Sequence, residues 1–522
     1  MARFFNTAGP CYPEKHYMLP AERRLPLVRP LVEQEQYFTV HAPRQSGKTT
    51  AFLALARELT AEGRYAALHA SCEMGQYAGG DVEAGVGAVI AAILENARVA
   101  LPEQLRPPGE PAEPEHVPAG VRLNLLLARW STACPRPVVL FLDEIDALLD
   151  ETLIAMLRQL RDGFSRRPHA FPQSVALIGL RDVRDYKVCS AIRPEAVTLG
   201  TASPFNIKSD SLTLSTFTAG EVAELLAQHT AETGQPFTTE AVAELFDQSQ
   251  GQPWLVNALA SICTTRPDAL VPDRSVVVSR EQVLQAKELL IERRDTHLDS
   301  LVDKLREERV RRVIEPILTG SVAFDPSFDD DFAYVRDLGL VTLREGVVTI
   351  ANPIYGEIIP RVLSSHVQAG IALQPAGFVA ADGTLDVERL LRGFVVFWQR
   401  HGEVLLRGMP YHEAAPHLVF MAYLQRVVNH GGRITREFAV GTGRADVVAE
   451  LGGREDVFEL KLVRGRWTLP EGLQQVAAYA RRLGRTRGYL ILFEPGSEVP
   501  WEERGRLEQW EEEGVAVTVL WA

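Results

Sequence analysis

The chain has 522 residues, enough for about three or four domains at roughly 150 residues each. Apolar residues make up 46% and charged residues 24%, the balance of a globular rather than a disordered protein. Lys+Arg 55 against Asp+Glu 68 gives a net charge of −13, which excludes a chain coated with basic surface but not a local basic groove.

The five cysteines are scattered without a CxxC pair, an arrangement that predicts neither a disulfide framework nor a zinc site and fits a reducing cytosol. The opening MARFFNTAGP has no apolar h-region, and the apolar run Gly85–Leu94 is too short to span a bilayer. The expectation is a cytoplasmic protein with no membrane partner.

In chain order, Tyr37–His41 reads as a buried strand and Gly47–Leu59 as the helix after it. A strand at Tyr65–His69 and a helix at Val82–Val99 follow. The proline-rich stretch from Leu101 to Pro118 predicts an irregular surface excursion. Helix Arg122–Thr132, strand Val138–Leu142, helix Glu151–Phe164 and strand Val175–Leu180 continue the alternation, which predicts a parallel sheet covered on both faces.

Helices at Ala219–Glu232, Thr239–Gln248 and Pro253–Thr264 suggest a small helical lid, and Arg280–Arg312 a charged helical stretch suited to connecting domains. The pair Leu340–Arg344 and Val347–Ile350, joined at Glu345-Gly346, predicts a hairpin in a winged-helix-like segment, a module that either binds DNA or packs between domains. Beyond a softer junction at Val367–Thr384, helices Leu385–Arg400 and His412–Asn429 lead into strands Arg433–Val440, Arg444–Glu450 and Asp456–Val463. Helix Pro470–Arg482 and strand Arg487–Phe493 complete the reading. The expected domains are residues 1–217, 218–300, 301–366 and 367–522.

Two constellations carry chemistry. The first follows strand Tyr37–His41: Ala42-Pro-Arg-Gln-Ser-Gly-Lys-Thr-Thr50 fits the phosphate-loop pattern, with Ala42 where the first glycine is expected. Backbone N–H groups of Gln45, Ser46, Gly47, Lys48 and Thr49 at a helix N-terminus suit a β-phosphate. Lys48 would reach the β- and γ-phosphates, Thr49 would hold Mg²⁺, and Thr50 completes the segment. Strand Val138–Leu142 ends in Asp143-Glu144, an acid for Mg²⁺-bound water followed by a base or polariser for attacking water. Asp146 is placed as a helix N-cap.

Together with the helical lid, these motifs resemble AAA+/STAND-type P-loop ATPases over about residues 12–265. The resemblance implies that Gly251-Gln-Pro253 is the lid motif approaching the nucleotide; a loop turning into a helix with Pro at its first position is the other reading. The strand before Arg181-Asp182 stands where a sensor would be, without the usual Asn or Thr. An arginine finger, if present, is Arg161, Arg166 or Arg167, and a finger acting in trans would require a homo-oligomer.

The second constellation is Gly443-Arg-Ala-Asp446 followed by Val457-Phe-Glu459-Leu-Lys461. Alternation puts Glu459 and Lys461 on one strand face, and the short spacing from Asp446 predicts a hairpin that unites the carboxylates. Oxygen ligands of this kind suit Mg²⁺ or Mn²⁺. The next helix carries Gln475 and Tyr479 on one face, and Glu413 and Glu437 are further acids.

This order resembles the PD-(D/E)XK nuclease superfamily over about residues 400–495, with Ala445 in place of the motif's proline. The whole chain is similar to bacterial fusions of an AAA-type ATPase with a nuclease-like domain. The resemblance implies an α/β multidomain protein that binds ATP and Mg²⁺ and cuts nucleic acid, DNA foremost, with a role against phages or mobile elements. The rival is a nucleotide-dependent switch whose nuclease-like domain binds without cutting. Residues 371–522 hold 18 Lys+Arg against 20 Asp+Glu. Seven basic residues (Lys461, Arg464, Arg466, Arg481, Arg482, Arg485, Arg487) cluster in sequence with Glu471 as the sole acid, and are expected to line the site for a phosphate backbone. Trp467 among them either stacks a base or packs.

Overall fold

The computed structural model describes residues 3–109, 117–180, 187–188, 197–198, 207–293, 301, 303–318, 329–344, 346–363, 375–408, 414–428, 433–436, 447–463, 465–494 and 497–522. The chain forms two compact units, residues 1–288 with 337–339, and residues 289–336 with 340–522.

In the first unit, short helices α1 (Ala21–Arg24) and α2 (Val28–Glu33) precede β1 (Tyr37–His41) and α3 (Lys48–Ala61). Then come β2 (Ala66–Ser71), α4 (Val82–Ala100), α5 (Ala119–Ala133), β3 (Val138–Asp143), α6 (Asp150–Gly163) and β4 (Ser174–Gly179). A two-residue pair, β5 (Lys187–Val188) with β6 (Val197–Thr198), precedes β7 (Lys208–Thr213). The sheet runs β2-β3-β4-β1-β7 and every pairing in it is parallel.

Parallel strands need crossovers that cover both faces, which is why β1, β3 and β4 read as nearly unbroken apolar runs. One face packs on α4, α5 and α6 through Val89, Ile90, Leu127, Trp130 and Leu157; the other packs on α1, α2 and α3 through Val28, Phe52 and Leu55. The architecture is a P-loop-type α/β fold.

Three readings change here. Strand β7 was not predicted: its sequence KSDSLT is polar because it is the sheet's edge, pairing among the described residues with β1 alone. The start of the proline-rich stretch is not merely surface, since Leu101 and Leu105 are buried in the core and Trp130 Nε1 donates to the Leu105 carbonyl at 2.9 Å. Asp146 is not the cap of α6, which begins after Leu149; instead its Oδ1 accepts from the Leu180 N–H at 3.3 Å, just past β4.

Three helices close the unit: α7 (Ala219–Thr233), α8 (Thr239–Ser249) and α9 (Pro253–Thr264). Thr218 and Glu221 form a reciprocal capping box on α7, the local reason it starts there.

The expected helical stretch Arg280–Arg312 holds α10 (Arg280–Arg293) and the start of α11 (Glu308–Leu318), with turn residues at 305–306 separating α11 from helical residues 303–304. The second unit continues with α12 (Asp330–Asp337), the hairpin β8 (Val341–Arg344) and β9 (Val347–Ile350), and α13 (Pro353–Leu363). Arg344 pairs with Val347 and Gly346 has φ +78°, so the hairpin closes at the anticipated step.

Helices α14 (Val387–Gly408) and α15 (Ala415–Val428) then precede a six-stranded sheet. Its strands are β10 (Arg433–Arg436), β11 (Val447–Leu451), β12 (Arg454–Leu462), β13 (Arg487–Phe493), β14 (Arg506–Glu512) and β15 (Val515–Trp521), in the order β10-β11-β12-β13-β15-β14. The pairings β10–β11, β11–β12 and β14–β15 are antiparallel, whereas β12–β13 and β13–β15 are parallel.

Helix α16 (Thr468–Arg482) makes the crossover from β12 to β13 and packs through Leu473, Val476 and Ala480 against Val457, Leu490 and Val517. On the opposite face, Phe420 meets Phe458 and Trp398 meets Phe493, so α14 and α15 cover it. The C-terminal hairpin β14–β15 was absent from the sequence reading. No helix among the described residues is long and apolar enough to cross a membrane.

Candidate functional site

The phosphate loop leaves β1 and turns into α3 through two left-handed residues, Gln45 at φ +57° and Gly47 at φ +88°. Glycine is favoured at position 47 by that angle, while Ala42 has no positive φ, so its methyl group is tolerated where a glycine was expected. Ala42 is buried beside β4, its N–H donating to the Gly179 carbonyl at 3.3 Å. Gly47 caps α3, whose first residues Lys48, Thr49 and Thr50 face a cavity of about 620 Å³ together with Gln45.

Lys48 Nζ donates to the carbonyls of Ala42 (2.6 Å) and Pro43 (2.9 Å). Burial lowers its pKa to about 8 against the opposing pull of Asp143 and Asp146. Thr49 Oγ1 donates to Asp143 Oδ2 at 2.6 Å, although the two residues lie 94 positions apart. The sheet order explains the approach: β4 lies between β1 and β3, and all three strands end at the same edge.

Asp143 is 1% exposed and also lies 3.0 Å from His69 Nε2. Burial pushes its carboxyl up, but the contacts with His69 and Thr49 and the Lys48 charge outweigh that and hold it below the usual carboxylate range. Glu144 sits at φ +57° just after the strand and accepts from Ser71 Oγ. Burial pushes its carboxyl up, the Ser71 hydrogen bond opposes this, and neighbouring Asp143, Glu73 and Asp146 add to the rise.

Two hard oxygens 2.6 Å apart, one on an ionised carboxylate, make a donor set that fits Mg²⁺. The left-handed loop with a buried lysine fits a polyphosphate.

Ser46 does not line the cavity. It is buried behind the loop, and Arg24 donates to its carbonyl at 3.4 Å and to Ser215 O at 2.7 Å. Thr50 lines the cavity but uses its hydroxyl to accept from the Cys11 N–H at 3.0 Å.

Pro253 is both the first residue of α9 and a cavity residue, so the two readings of that motif coincide. Gly251 has φ +71°, and a Cβ there would lie 1.8 Å from the Phe217 carbonyl oxygen. Gln252 caps α9 through the Leu255 N–H and reaches Gln45 O at 3.4 Å.

Arg166 bonds Asn124 (2.7 Å) and Asp162 (3.0 Å), and Arg167 stacks on Phe164 with 3.5 Å to the ring centroid, so both are tied to their own fold; Arg161 is exposed. The sensor candidates Arg181 and Asp182 lie outside the described residues.

Sequence reasoning missed one wall of this cavity. Asn6, Thr7, Gly9, Pro10 and Cys11 line it opposite no recognisable motif, and Trp254 Nε1 holds the segment by donating to Thr7 O at 2.8 Å. Backbone contacts of this kind leave little sequence signal. His69 and Ser71 were missed as well, although their i,i+2 spacing at the end of a strand beside Asp143 was a usable sign.

In the second unit, Glu459 is 1% exposed and Lys461 is half-buried, with Nζ 3.1 Å from Glu459 Oε1. Val457 belongs to the cluster under α16, so alternation places Glu459 and Lys461 on that face as well. An exposed, solvated Glu-x-Lys is therefore not what the chain has. Gln475 is half-buried on α16 with a buried carbonyl oxygen that has no hydrogen-bond partner among the described residues; Tyr479 packs on the same cluster.

Asp446, Glu413 and Glu437 lie outside the described residues. No group of three His, Cys, Asp or Glu placed to hold a metal occurs among the described residues.

The expected basic lining is divided. Lys461 and Arg466 lie at the carboxyl end of β12. Arg481 and Arg482 close the other end of α16, a helix of about 22 Å at 1.5 Å per residue, and Arg485 and Arg487 follow it. There Arg481 pairs with Glu513, and Arg485 is 3.9 Å from Glu455. Arg464 lies outside the described residues.

No protein-family model matches the chain, and no curated protein matches it. Among solved structures, the chain is similar to a Walker-type ATPase of Pyrococcus abyssi (12% identity, 68% of this chain and 99% of that one, TM-score 0.48). It is also similar to the ORC2 protein of Aeropyrum pernix (12%, 68% and 94%, TM-score 0.40) and to the RuvB Holliday junction branch migration motor of Thermotoga maritima (16%, 65% and 93%, TM-score 0.34). At these scores the site rests on its own geometry.

Proposed function

We propose that the chain is an ATP-binding and ATP-hydrolysing P-loop ATPase that gates or drives a metal-dependent nuclease acting on nucleic acid, DNA foremost, with defence against phage or mobile elements as the biological setting. The observation that carries the first half is the 2.6 Å approach of Thr49 to Asp143 at the mouth of a cavity shared with Lys48 and Glu144.

Thr49 and Asp143 would hold Mg²⁺, which supplies charge neutralisation at the phosphates. Lys48, held by two carbonyls, presents its ammonium to the same anion. Glu144 orients the attacking water and accepts its proton, and the Ser71 hydroxyl fixes the carboxylate until that happens.

For the second half, the support is the burial of Glu459 beside Lys461 on β12 and the arrangement around them: a helix, three antiparallel strands, a crossover helix and a parallel strand. Asp446 directly precedes Val447, which pairs with Phe458, the neighbour of Glu459. Mg²⁺ or Mn²⁺ held by Asp446 and Glu459, with Lys461 at the phosphate and Gln475 beside it, is the nuclease reading.

The alternative, a nucleotide-dependent switch whose second unit binds nucleic acid or protein without cleavage, is favoured by the ion pair that engages Lys461 and by the remote position of four arginines. Incubating DNA and RNA with the chain and Mg²⁺ or Mn²⁺, with and without ATP, separates the two. Cleavage lost in Asp446→Ala and Glu459→Gln supports the nuclease. Wild-type cleavage that survives both substitutions removes the site assignment, and ATP hydrolysis unaffected by Lys48→Ala removes the first half.

A further inference from the structure

The carboxyl edge of the parallel strands in the second unit carries a feature that the nuclease reading does not use. Trp467, between β12 and α16, is 63% exposed, unusual for a ring of its size. The Arg466 guanidinium lies 5.1 Å from its centroid. Strand β15 ends at the same edge in Trp521, and Arg506 of the antiparallel partner β14, paired in register with Trp521, lies 4.7 Å from that ring.

Trp521 packs with Leu469 and Val463 in the cluster under α16, so it shares the face of Glu459 and Lys461. β13 separates β12 from β15, which places the two strand ends about 10 Å apart at 4.8 Å per strand. Two arginine–tryptophan pairs thus share an edge with Lys461, the half-buried partner of the buried Glu459. The acids at this edge are Glu471 in the first turn of α16, Glu494 after β13, and Glu508, whose Oε1 is 3.3 Å from Arg506 Nε.

We infer that this edge is a binding track for single-stranded nucleic acid, in which Trp467 stacks an unpaired base while Arg466, Lys461 and Arg506 face the phosphates. An exposed indole offers a π-face to a base only when that base is out of a duplex, and guanidinium groups beside the rings supply charge where a backbone would pass. The inference rests on the reading that this site meets nucleic acid, but not on cleavage.

The test is fluorescence anisotropy of a labelled oligothymidylate and of a duplex of the same length, with the full chain in EDTA so that nothing is cut. The single strand is expected to bind more tightly than the duplex. Trp467→Ala and Arg506→Ala are each expected to weaken it about tenfold, with Trp467→Phe restoring most of the loss and melting temperatures unchanged. Single-strand binding indifferent to Trp467→Ala, or a duplex bound as tightly as the single strand, overturns the track. Trp467-dependent binding without any metal-dependent cleavage leaves the track standing and removes the nuclease. Cleavage accompanied by binding indifferent to Trp467→Ala does the reverse.

Discussion

The phosphate loop and the Glu459 strand are both short polar motifs at the carboxyl ends of strands, yet they are built differently. In the first, one continuous segment, residues 42–50, supplies the N–H groups, the lysine and the hydroxyl, and the long-range contact of Thr49 with Asp143 completes it. In the second, the residues come from more than one element, Glu459 and Lys461 from β12 and Gln475 from α16, and the Glu459–Lys461 pair is the local part. A site made by backbone within one turn is fixed as soon as the turn forms. A site made across strands depends on register, where a one-residue slip turns every side chain to the other face.

The sharpest test of this contrast makes the same change in both places. Glu144→Gln keeps shape and burial but removes the proton acceptor, so ATP hydrolysis is expected to fall by about 10²- to 10⁴-fold with nucleotide binding retained, as steady-state turnover and a binding titration would show. Glu459→Gln should reduce nucleic-acid cleavage on the same scale; unchanged cleavage would remove Glu459 from the site, and no cleavage by the unsubstituted chain would leave the second region as a binder.

Gly251→Ala probes the backbone side of the first site. With φ +71° and a Cβ 1.8 Å from the Phe217 carbonyl, it is expected to cost about 3 kcal/mol or more in denaturant unfolding. A loss under about 1 kcal/mol would mean that the α8–α9 turn yields easily.

The lysine gives a pH test. With its pKa near 8 and its unfolded value near 10.5, Lys48 is charged below 8 and neutralised above it. Nucleotide affinity is therefore expected to decline as pH climbs past 8, by up to about tenfold per unit. The nucleotide-free fold gains stability between 8 and 10.5, because there the unfolded chain binds the extra proton. Affinity flat to pH 10 would show that phosphate contacts are carried by the N–H groups alone. The smallest effect is expected from Ser71→Ala, a few-fold change in turnover through a freed Glu144, with binding unaltered.

Much of the first unit was legible because its central strands are buried on both faces and its helices bury one stripe, patterns that leave apolar runs and 3.6-residue periodicity. Strand β7 was not, since an edge strand holds its place by backbone hydrogen bonds to β1 and needs no apolar side chains. The wall formed by residues 6–11 escaped notice for a similar reason: Cys11 and Thr7 act through their backbone. In the second unit, the charge count grouped seven basic residues around one site, whereas α16 carries four of them to its far end. Proximity along a chain is not proximity across a helix of about 22 Å.

By itself, the sequence determined what depends on local rules: the strand–loop–helix of the phosphate loop, the acid pair after β3, the capping box on α7 and the alternation that sets Glu459 beside Lys461. Only the tertiary structure decided what depends on which strands are neighbours. The insertion of β4 between β1 and β3 brings Thr49 to Asp143, His69 and Ser71 meet the acids from β2, and Arg506 and Trp521 share an edge with Lys461. Strand order is chosen by the packing of whole faces, a sum over many weak contacts that no single motif records.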